Sequence, residues 1–435
     1  MGRAFELNSS FAVKLRRLLA CGLLAVFTSG VTLADSGPAI NHKLVQVNAA
    51  GNPVPICLGV SGWNDDLGKR LKNGSCGVGT LGSLLKDLND GSMYILSNWH
   101  VFVEGEKKIW GKVGDSITHV GCGDTASFED KDAIPTNIKV PPPPKNPPPY
   151  KPPFQVGALS DWIQPVPRGR VDAAIAAVHG GFATSAILDI APFDTKVQRP
   201  MLGSVVIKSG RTTGRSYGYV SAVNVKFTVH YAPPVNKITF VKQIQISPLL
   251  PADRASAAGD SGSLVLQVKQ RTNGPVIGPV GLLYAGASKK LKNKSFQDQT
   301  YANRMYDVIN AFKNGGGGDK KPRNLAFVPP ANCSNKFPFP ISSGREMEGI
   351  PASPGPIPDP EVVEAVSQLE DRYSDQLSQI PGVIGHAVSL SETGSGEVVI
   401  TLFVSEITPE IEQAAPSELE GVPVELEVLV DIHLL

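Results

Sequence analysis

Short apolar stretches separated by glycine, proline or charged residues follow one another between residues 76 and 300. Two of them, 80–86 and 93–97, flank the turn Asn89-Asp90-Gly91, and an Asp-Gly pair between apolar runs is a strong signal for a β-hairpin. Short strands at such spacing are typical of a sandwich or a barrel. The pattern predicts a mainly β fold, with further strands around 171–178, 204–208, 217–229, 238–246, 263–268 and 280–284.

A different pattern begins after residue 358. Asp359-Pro360 supplies an N-cap and a first-turn proline, apolar residues then recur at helical spacing, and Pro381-Gly382 ends the helix. This order of α-β-β-α-β predicts a small helix-covered sheet over residues 359–435. Its other elements are expected as strands at 383–390, 397–404 and 422–432 and a short helix that begins at Thr408-Pro409.

The remaining segments divide the chain. Residues 1–34 combine basic residues, an apolar run and a small residue at the end, which predicts a secretory signal peptide and an exported protein, extracellular or periplasmic. No other run is long enough for a membrane helix. The main β domain is expected at 35–314, with a proline-rich exposed insertion at 141–153, one helix at 301–313 and a Gly/Pro-rich linker at 315–358.

Charge is unevenly distributed, although the whole chain carries a net charge of only +1. Residues 359–435 hold sixteen acidic residues and one basic residue, Arg372, and residues 35–358 carry a compensating positive charge. Opposite charges predict that the acidic part docks on the basic part within the molecule; the alternative is that acidity only keeps the domain soluble. No cluster of basic residues with interleaved aromatics indicates a nucleic-acid partner.

Four cysteines follow the predicted signal peptide, at 57, 76, 122 and 333. Export permits disulfides among them, but the spacing does not determine the connectivity, and some could instead be buried thiols. The sequence contains no His-Glu-x-x-His and no paired Cys-x-x-Cys motif, so we expect no metal site and no cofactor.

The sharpest chemical signal is Gly259-Asp260-Ser261-Gly262, which precedes an apolar strand. Acyl transfer needs a serine on a sharp turn, where its hydroxyl is accessible and backbone N–H groups can converge on the developing oxyanion. Flanking glycines permit such a turn. Ser261 is therefore the candidate nucleophile.

A serine needs a base within hydrogen-bond reach and a third group that orients the base. His100 ends an apolar strand, where its side chain can be held at the edge of a cleft. Asp172, within Val171-Asp172-Ala173-Ala174-Ile175-Ala176, opens an otherwise apolar strand, and a buried acid without a partner would be costly. His100 is thus the candidate general base and Asp172 the residue that orients it.

The order His100, Asp172, Ser261 resembles that of the chymotrypsin-like serine peptidases, and it differs from the order in subtilisins and α/β-hydrolases. Within that class the chain is similar to the bacterial and plant trypsin-like group that includes the narrow-leaf proteases. The resemblance rests on segments 58–62, 79–82 and 208–214 and on the C-terminal α-β-β-α-β part. It implies a double β-barrel, a site in the cleft between the barrels and an oxyanion hole from the N–H groups of Gly259 and Ser261.

The resemblance also places residues of the primary substrate pocket, with Ala255 at its base and Tyr284, Ala285 and Gly286 along its wall. None of these supplies a buried charge, so we expect a neutral, apolar substrate side chain, unless Asp253 or Arg254 lies nearer the pocket. No Ile-Val-Gly-Gly sequence occurs near the predicted mature start. Activation by a freed N-terminus against Asp260 is therefore not expected, and Asp260 should have another partner.

These observations predict a secreted serine endopeptidase that acts on proteins or peptides. The alternative is a catalytically silent binding or scaffold protein on the same barrels, and a non-peptidase esterase would use the same residues. The intact triad favours the peptidase over the silent protein, whereas the same acyl chemistry serves both a peptidase and an esterase.

Overall fold

The structure, a computed structural model, describes residues 42–43, 46, 55–71, 77–105, 109–124, 154–166, 169–179, 181–231, 233, 235–250, 253–269, 275–291, 295–331, 333 and 353–435. The predicted signal peptide and the proline-rich insertion lie outside the described residues. No described helix is long and apolar enough to cross a membrane.

The described residues form a mainly β molecule. The strands are β1 (Ile56–Leu58), β2 (Val60–Asn64), β3 (Gly79–Leu81), β4 (Ser83–Asp87), β5 (Met93–Ser97), β6 (Ser116–His119), β7 (Phe154–Ile163), β8 (Ala173–Val178), β9 (Ala183–Ile187), β10 (Val205–Gly210), β11 (Gly214–His230), β12 (Lys237–Pro248), β13 (Leu264–Lys269), β14 (Val276–Lys290), β15 (Phe296–Arg304), β16 (Leu325–Phe327), β17 (Val383–Leu390), β18 (Val398–Val404), β19 (Glu418–Leu419) and β20 (Val422–Leu434). The helices are α1 (Asp65–Arg70), α2 (Trp99–Phe102), α3 (Met305–Ala311), α4 (Pro360–Leu377) and α5 (Pro409–Ala414), with a 3-10 helix at Phe312–Asn314.

The first barrel is formed by an eight-stranded sheet in the order β16-β4-β5-β8-β7-β6-β2-β3. Only Gly82 separates β3 from β4 in the chain, so the last strand of this order continues into the second one and the sheet curls closed. Its interior is apolar and fully buried, and includes Leu81, Leu85, Ile95 and Leu96. Burial of these side chains is the main contribution to the stability of this barrel.

The second barrel is a ring of strands in the order β10-β13-β14-β15-β12-β11, closed by the antiparallel pairing of β11 with β10. Aromatic side chains pack in its interior. The ring centroids of Phe227 and Tyr301 lie 4.2 Å apart, and those of Phe240 and Tyr284 lie 4.7 Å apart. Such tilted aromatic pairs add attraction to the burial of a large apolar area.

The C-terminal part extends the sheet of the second barrel. Strand β17 pairs antiparallel with β11, β18 pairs with β17, and β20 runs parallel to β18. Helix α4 begins after the N-cap Asp359, whose side chain accepts a hydrogen bond from Glu361 N–H. A mainly β chain with two barrels and a small C-terminal α+β part is thus confirmed.

One predicted element differs from the structure. Residues 301 to 304 belong to β15, which pairs with β14 on one edge and with β12 on the other, and α3 begins only at Met305. The prediction of one helix over 301–313 is therefore wrong for its first turn. Ladder hydrogen bonds on both edges of β15 outweigh the local helical pattern.

Part of the stretch predicted as a linker contacts the first barrel. Asp161, fully buried, accepts hydrogen bonds from the N–H groups of Gly316 (2.9 Å) and Gly318 (2.8 Å) and from the guanidinium of Arg323 (2.8 Å). Strand β16 follows and pairs with β4. Residues 315–327 therefore pack on the barrel, whereas the domain boundaries themselves stay a prediction.

A disulfide joins the same stretch to the start of the first barrel. Cys57 in β1 is bonded to Cys333, across 276 residues of sequence. The sequence left this pairing open. Because the bond closes a long loop of the unfolded chain, it stabilises the folded state.

Candidate active site

Ser261 lies on a tight turn that both barrels hold. Gly259 and Gly262 have φ of +94°, in the left-handed region that favours glycine. A Cβ at Gly262 would lie 2.3 Å from the carbonyl oxygen of Thr80, so no larger residue fits there. The N–H of Thr80, from the first barrel, donates to the carbonyl of Ser261 at 2.8 Å. The serine is therefore fixed at the junction of the two barrels.

His100 lies in the short helix α2, directly after strand β5. Its Nδ1 is 2.7 Å from Oδ2 of Asp172, and its Nε2 is 2.7 Å from Oγ of Ser261. The side chain amide of Asn98 donates to the carbonyl of Asp172 at 2.7 Å and ties the helix to the start of β8. The three candidate catalytic residues of the sequence analysis therefore meet in one hydrogen-bonded row.

Asp172 is fully buried and its carboxylate is surrounded by donors. Oδ1 accepts from the N–H groups of Trp99 (2.6 Å) and His100 (3.3 Å), and Oδ2 accepts from the hydroxyl of Tyr231 (2.6 Å). The N–H of Asp172 donates to Asn303 Oδ1 at 2.9 Å. These donors satisfy the hydrogen-bonding capacity of a side chain that is shielded from water.

The electrostatic surroundings favour a protonated histidine. Burial acts to lower the pKa of His100, but the charge and hydrogen bond of Asp172, together with smaller contributions from Glu104 and the backbone of Leu435, raise it above its usual value. Burial and the charge of Asp172 raise the pKa of Tyr231, so its hydroxyl stays protonated and donates. A base of raised pKa beside a serine can accept the hydroxyl proton and keep it during a reaction.

Asp260 has the other partner that the sequence analysis called for. Its Oδ2 is 2.8 Å from Nζ of Lys208, a β10 residue whose side chain is only 6% exposed. The N–H of Thr212 donates to Oδ1 at 2.7 Å and that of Ala257 donates to Oδ2 at 2.9 Å. Burial would raise the pKa of Asp260, but the ammonium beside it holds that pKa below its usual value. The pair anchors the turn that carries Ser261.

One residue expected along the primary pocket, Tyr284, contacts Ser261 directly, and the others lie in the same strand or in the segment before the serine. Ala255 is buried, and its carbonyl accepts from Ser216 Oγ at 2.7 Å. Tyr284 and Ala285 are fully buried in β14, and the carbonyl of Tyr284 lies 3.2 Å from Ser261 Oγ. Gly286 follows in the same strand.

Arg254 does not enter the pocket. Its side chain is 69% exposed and forms an ion pair of 3.1 Å with Asp298. The oxyanion hole stays a prediction: no described residue accepts a hydrogen bond from the N–H of Gly259 or of Ser261. Among the described residues no group of three His, Cys, Asp or Glu side chains could hold a metal ion.

Four further residues belong to this site. The sequence analysis did not predict the roles of Tyr231, Asn303 and Lys208 or the presence of Leu435. Lys208 directly follows the apolar residues Val205 to Ile207. A charged residue in such a strand needs a partner when it is buried, so the sequence did contain a signal for this ion pair. Leu435 lies against Ser261, and its carbonyl oxygen is within hydrogen-bond distance of the serine Oγ.

Comparison with known proteins gives fold neighbours only. No family model and no curated protein matches the sequence. Thermobifida fusca protease A is 13% identical over 63% of this chain and 98% of its own, with a TM-score of 0.34. A Nocardiopsis protease is 16% identical over 62% and 98% (TM-score 0.32), and a glutamic acid specific serine protease is 14% identical over 63% and 100% (TM-score 0.34). Likenesses of this size do not assign the chain to a family.

Proposed function

We propose that the chain is a serine endopeptidase in which Ser261 is the nucleophile, His100 the general base and Asp172 the residue that orients and stabilises the histidine. The observation that carries the proposal is the position of His100, with one ring nitrogen 2.7 Å from Asp172 and the other 2.7 Å from Ser261. A histidine held between a buried carboxylate and a serine on a turn is the arrangement that nucleophilic acyl transfer requires.

The reaction follows from these contacts. Oγ of Ser261 attacks the carbonyl carbon of a peptide bond while its proton passes to Nε2 of His100. The charge of the imidazolium is balanced by Asp172, and the N–H groups of Gly259 and Ser261 would receive the oxyanion. The C–N bond then breaks as Nε2 returns the proton to the amine. Water, activated by the same histidine, hydrolyses the acyl ester and restores the serine.

We also propose that the protein is exported. The support is the disulfide between Cys57 and Cys333, since structural disulfides persist in oxidising compartments. The predicted signal peptide at residues 1–34 is consistent with this. Secretion is tested by expressing the full chain in a bacterial host and determining the N-terminal residue of the protein recovered outside the cytoplasm.

The C-terminal part, residues 359–435, is proposed to stay docked on the second barrel. Its support is the pairing of β17 with β11 and a partly buried ion pair, in which Lys289 Nζ lies 2.7 Å from Glu427. An exposed pair of 3.0 Å joins Lys242 to Asp371. Docking would place the end of β20 at the candidate active site.

Substitution of the serine tests the proposed reaction. In Ser261→Ala we expect casein hydrolysis and labelling by a fluorophosphonate probe to disappear, a loss on the order of a millionfold by analogy with other serine proteases. Because Leu435 lies against Ser261, both assays are run with and without residues 431–435. The matched control is Ser204→Ala, which removes a buried hydroxyl of the same barrel away from His100 and should keep activity.

Each result separates the three functions. A folded Ser261→Ala chain that still cleaves casein would contradict the proposal. Probe labelling and ester hydrolysis without casein cleavage would indicate an esterase. A folded chain that neither reacts with the probe nor cleaves any substrate, with or without residues 431–435, would indicate a binding protein.

A further inference from the structure

The last strand of the chain leaves its own sheet and runs along the second barrel. The first half of β20 pairs in parallel with β18, from Val424 to Val428. Its second half pairs antiparallel with β14, where Ala285 lies opposite Leu434 and Gly286 opposite His433. Residues 431–435, the end segment, therefore lie along β14, the strand whose Tyr284 carbonyl contacts Ser261 Oγ. Strand addition of this kind is how many proteins bind an extended peptide.

The backbone of the end segment reaches the proposed nucleophile. The N–H of Leu435 donates to the carbonyl of Tyr284 at 3.2 Å, and its own carbonyl oxygen lies within hydrogen-bond distance of Ser261 Oγ. His100 also interacts with the backbone of Leu435. The carbonyl oxygen of Leu435 therefore lies against the proposed nucleophile and base, and it does not occupy the predicted oxyanion hole, whose N–H groups have no described acceptor.

The side chain of Leu435 enters the expected primary pocket. A Cβ built on Gly286 would lie 2.8 Å from Leu435 Cδ2 and 3.3 Å from Cγ, so the leucine packs directly on the glycine. Leu435 also packs against the buried apolar cluster that contains Ala255. No charge faces it from Ala255, Tyr284, Ala285 or Gly286, and the exposed Arg254 is paired with Asp298. The pocket is lined by small and apolar groups.

We propose that the end segment occupies the subsites for the acyl side of a substrate and competes with substrates for them. These subsites select peptides with leucine or a similar aliphatic residue before the scissile bond. The proposal rests on the proposed peptidase function. It follows from the backbone pairing on β14 and from the fit of Leu435 over Gly286.

Tethering makes even weak binding effective. A segment joined to its site by a short connection acts at an effective concentration in the millimolar range. If the free peptide Asp-Ile-His-Leu-Leu binds with a Kd of about 0.1 mM, the tethered segment would lower activity about tenfold. The peptidase would then be held back until a substrate or a partner displaces residues 431–435.

Two variants test the competition. Deletion of residues 431–435 and the substitution Leu435→Glu should each increase the rate of fluorophosphonate labelling and of peptide hydrolysis about tenfold. The substitution keeps chain length, so it guards against misfolding of the deletion, and circular dichroism checks both. Ile407→Glu makes the same chemical change at a residue that is 48% exposed in the C-terminal part and should leave both rates unchanged.

Peptide binding tests the specificity without requiring catalysis. The probe is Asp-Ile-His-Leu-Leu, titrated by calorimetry into the chain that lacks 431–435. Analogues ending in methionine, lysine and glutamate are titrated in parallel. We expect the leucine and methionine peptides to bind and the lysine and glutamate peptides to bind at least about tenfold more weakly, because the pocket offers no counter-charge.

The outcomes separate this inference from the proposed function. Binding of the leucine peptide without any hydrolysis of substrates would refute the peptidase and keep the end segment as the ligand of the cleft. Casein cleavage by the full chain that neither deletion nor Leu435→Glu increases, with no peptide binding, would overturn the inference and leave the peptidase intact. Tighter binding of the lysine or glutamate peptide would overturn the specificity.

Discussion

At the scale of single residues, the carboxylate of Asp172 dominates the candidate site. It is fully buried, accepts three hydrogen bonds from Trp99, His100 and Tyr231 besides its contact with the imidazole, and raises the pKa of His100 against the effect of burial. Because donors from both barrels fix its position, the imidazole is held in one orientation. Such preorganisation is what a general base requires.

The raised pKa of His100 predicts the pH dependence of activity. Only the neutral imidazole accepts the serine proton, so kcat/KM should rise with pH and half of the rise should occur above pH 6.5, the ordinary pKa of histidine. The measurement is kcat/KM for a leucine peptide between pH 5 and 9, using the chain without residues 431–435. Asp172 is present in this shortened chain and raises the pKa of His100 more than the backbone of Leu435 does, so the pKa should still lie above 6.5.

A rate independent of pH over this interval would show that another group is the base. A midpoint below pH 6.5 would show that burial outweighs Asp172. The control is circular dichroism at each pH, which separates a loss of the fold from protonation of His100.

The residues of the site could be predicted only where a local sequence pattern marks them. Ser261 and Asp172 carry local motifs, and His100 follows an apolar strand, so the sequence was sufficient to identify them. Tyr231 reaches Asp172 across 59 residues, and Asn303 reaches it across 131. Contacts at such separations depend on barrel closure, which has no local sequence pattern.

At the scale of elements, strand β10 supports the turn of Ser261 through Lys208. The ion pair between Lys208 and Asp260 is almost completely buried, with 6% and 0% of the side chains exposed. Removing one partner of a buried pair leaves an uncompensated charge. Lys208 in β10 is therefore the partner of Asp260, in place of the freed N-terminus that the sequence analysis did not expect.

Lys208→Met tests this support. We expect a loss of about 3 kcal/mol in the free energy of unfolding, by the usual cost of breaking a buried ion pair, together with slower fluorophosphonate labelling as the turn loosens. Urea unfolding measures the first effect.

The control for Lys208→Met is Lys242→Met in β12, which breaks an exposed pair with Asp371 and should cost less than about 1 kcal/mol. Equal stability of Lys208→Met and the unsubstituted chain would refute the supporting role. Loss of stability with labelling unchanged would mean that Lys208 stabilises the barrel without positioning Ser261.

Elements were predicted well where the hydrophobic pattern is local. The strands 383–390 and 397–404 of the C-terminal part lie within one residue of β17 and β18, and the helix at Thr408-Pro409 is α5. Strand β14 is longer than its predicted core of 280–284, since β13, β15 and β20 all pair with it. Partners from distant sequence extend a strand beyond its own pattern.

At the scale of the whole molecule, the C-terminal part is joined to the second barrel by more than charge. The sequence analysis derived docking from opposite net charges, which would make it sensitive to salt. The contacts add a continuous sheet from β11 to β17 and an apolar cluster shared by both parts, with Val220 and Ile246 from the barrel and Leu369 and Leu402 from the C-terminal part. Backbone pairing and apolar burial are not screened by salt.

We therefore predict that salt does not detach residues 359–435. Between about 0.1 and 1 M salt the Debye length falls from roughly 10 to 3 Å, which screens the exposed pair of Lys242 and Asp371 but not the shared cluster. Small-angle scattering should give the same radius of gyration at both concentrations. Leu402→Asp, which buries a charge in the cluster, should increase the radius, whereas the exposed substitution Ile407→Glu should not.

The same experiment links docking to the active site. If the C-terminal part detaches in Leu402→Asp, β20 leaves β14 and Leu435 leaves Ser261, so fluorophosphonate labelling should accelerate together with the expansion. A radius that grows with salt in the unsubstituted chain would show that charge is the main attachment. The proposed competition requires β20 to remain on β14, so detachment should expose Ser261. Expansion of Leu402→Asp with an unchanged rate of labelling would therefore show that Leu435 does not shield Ser261.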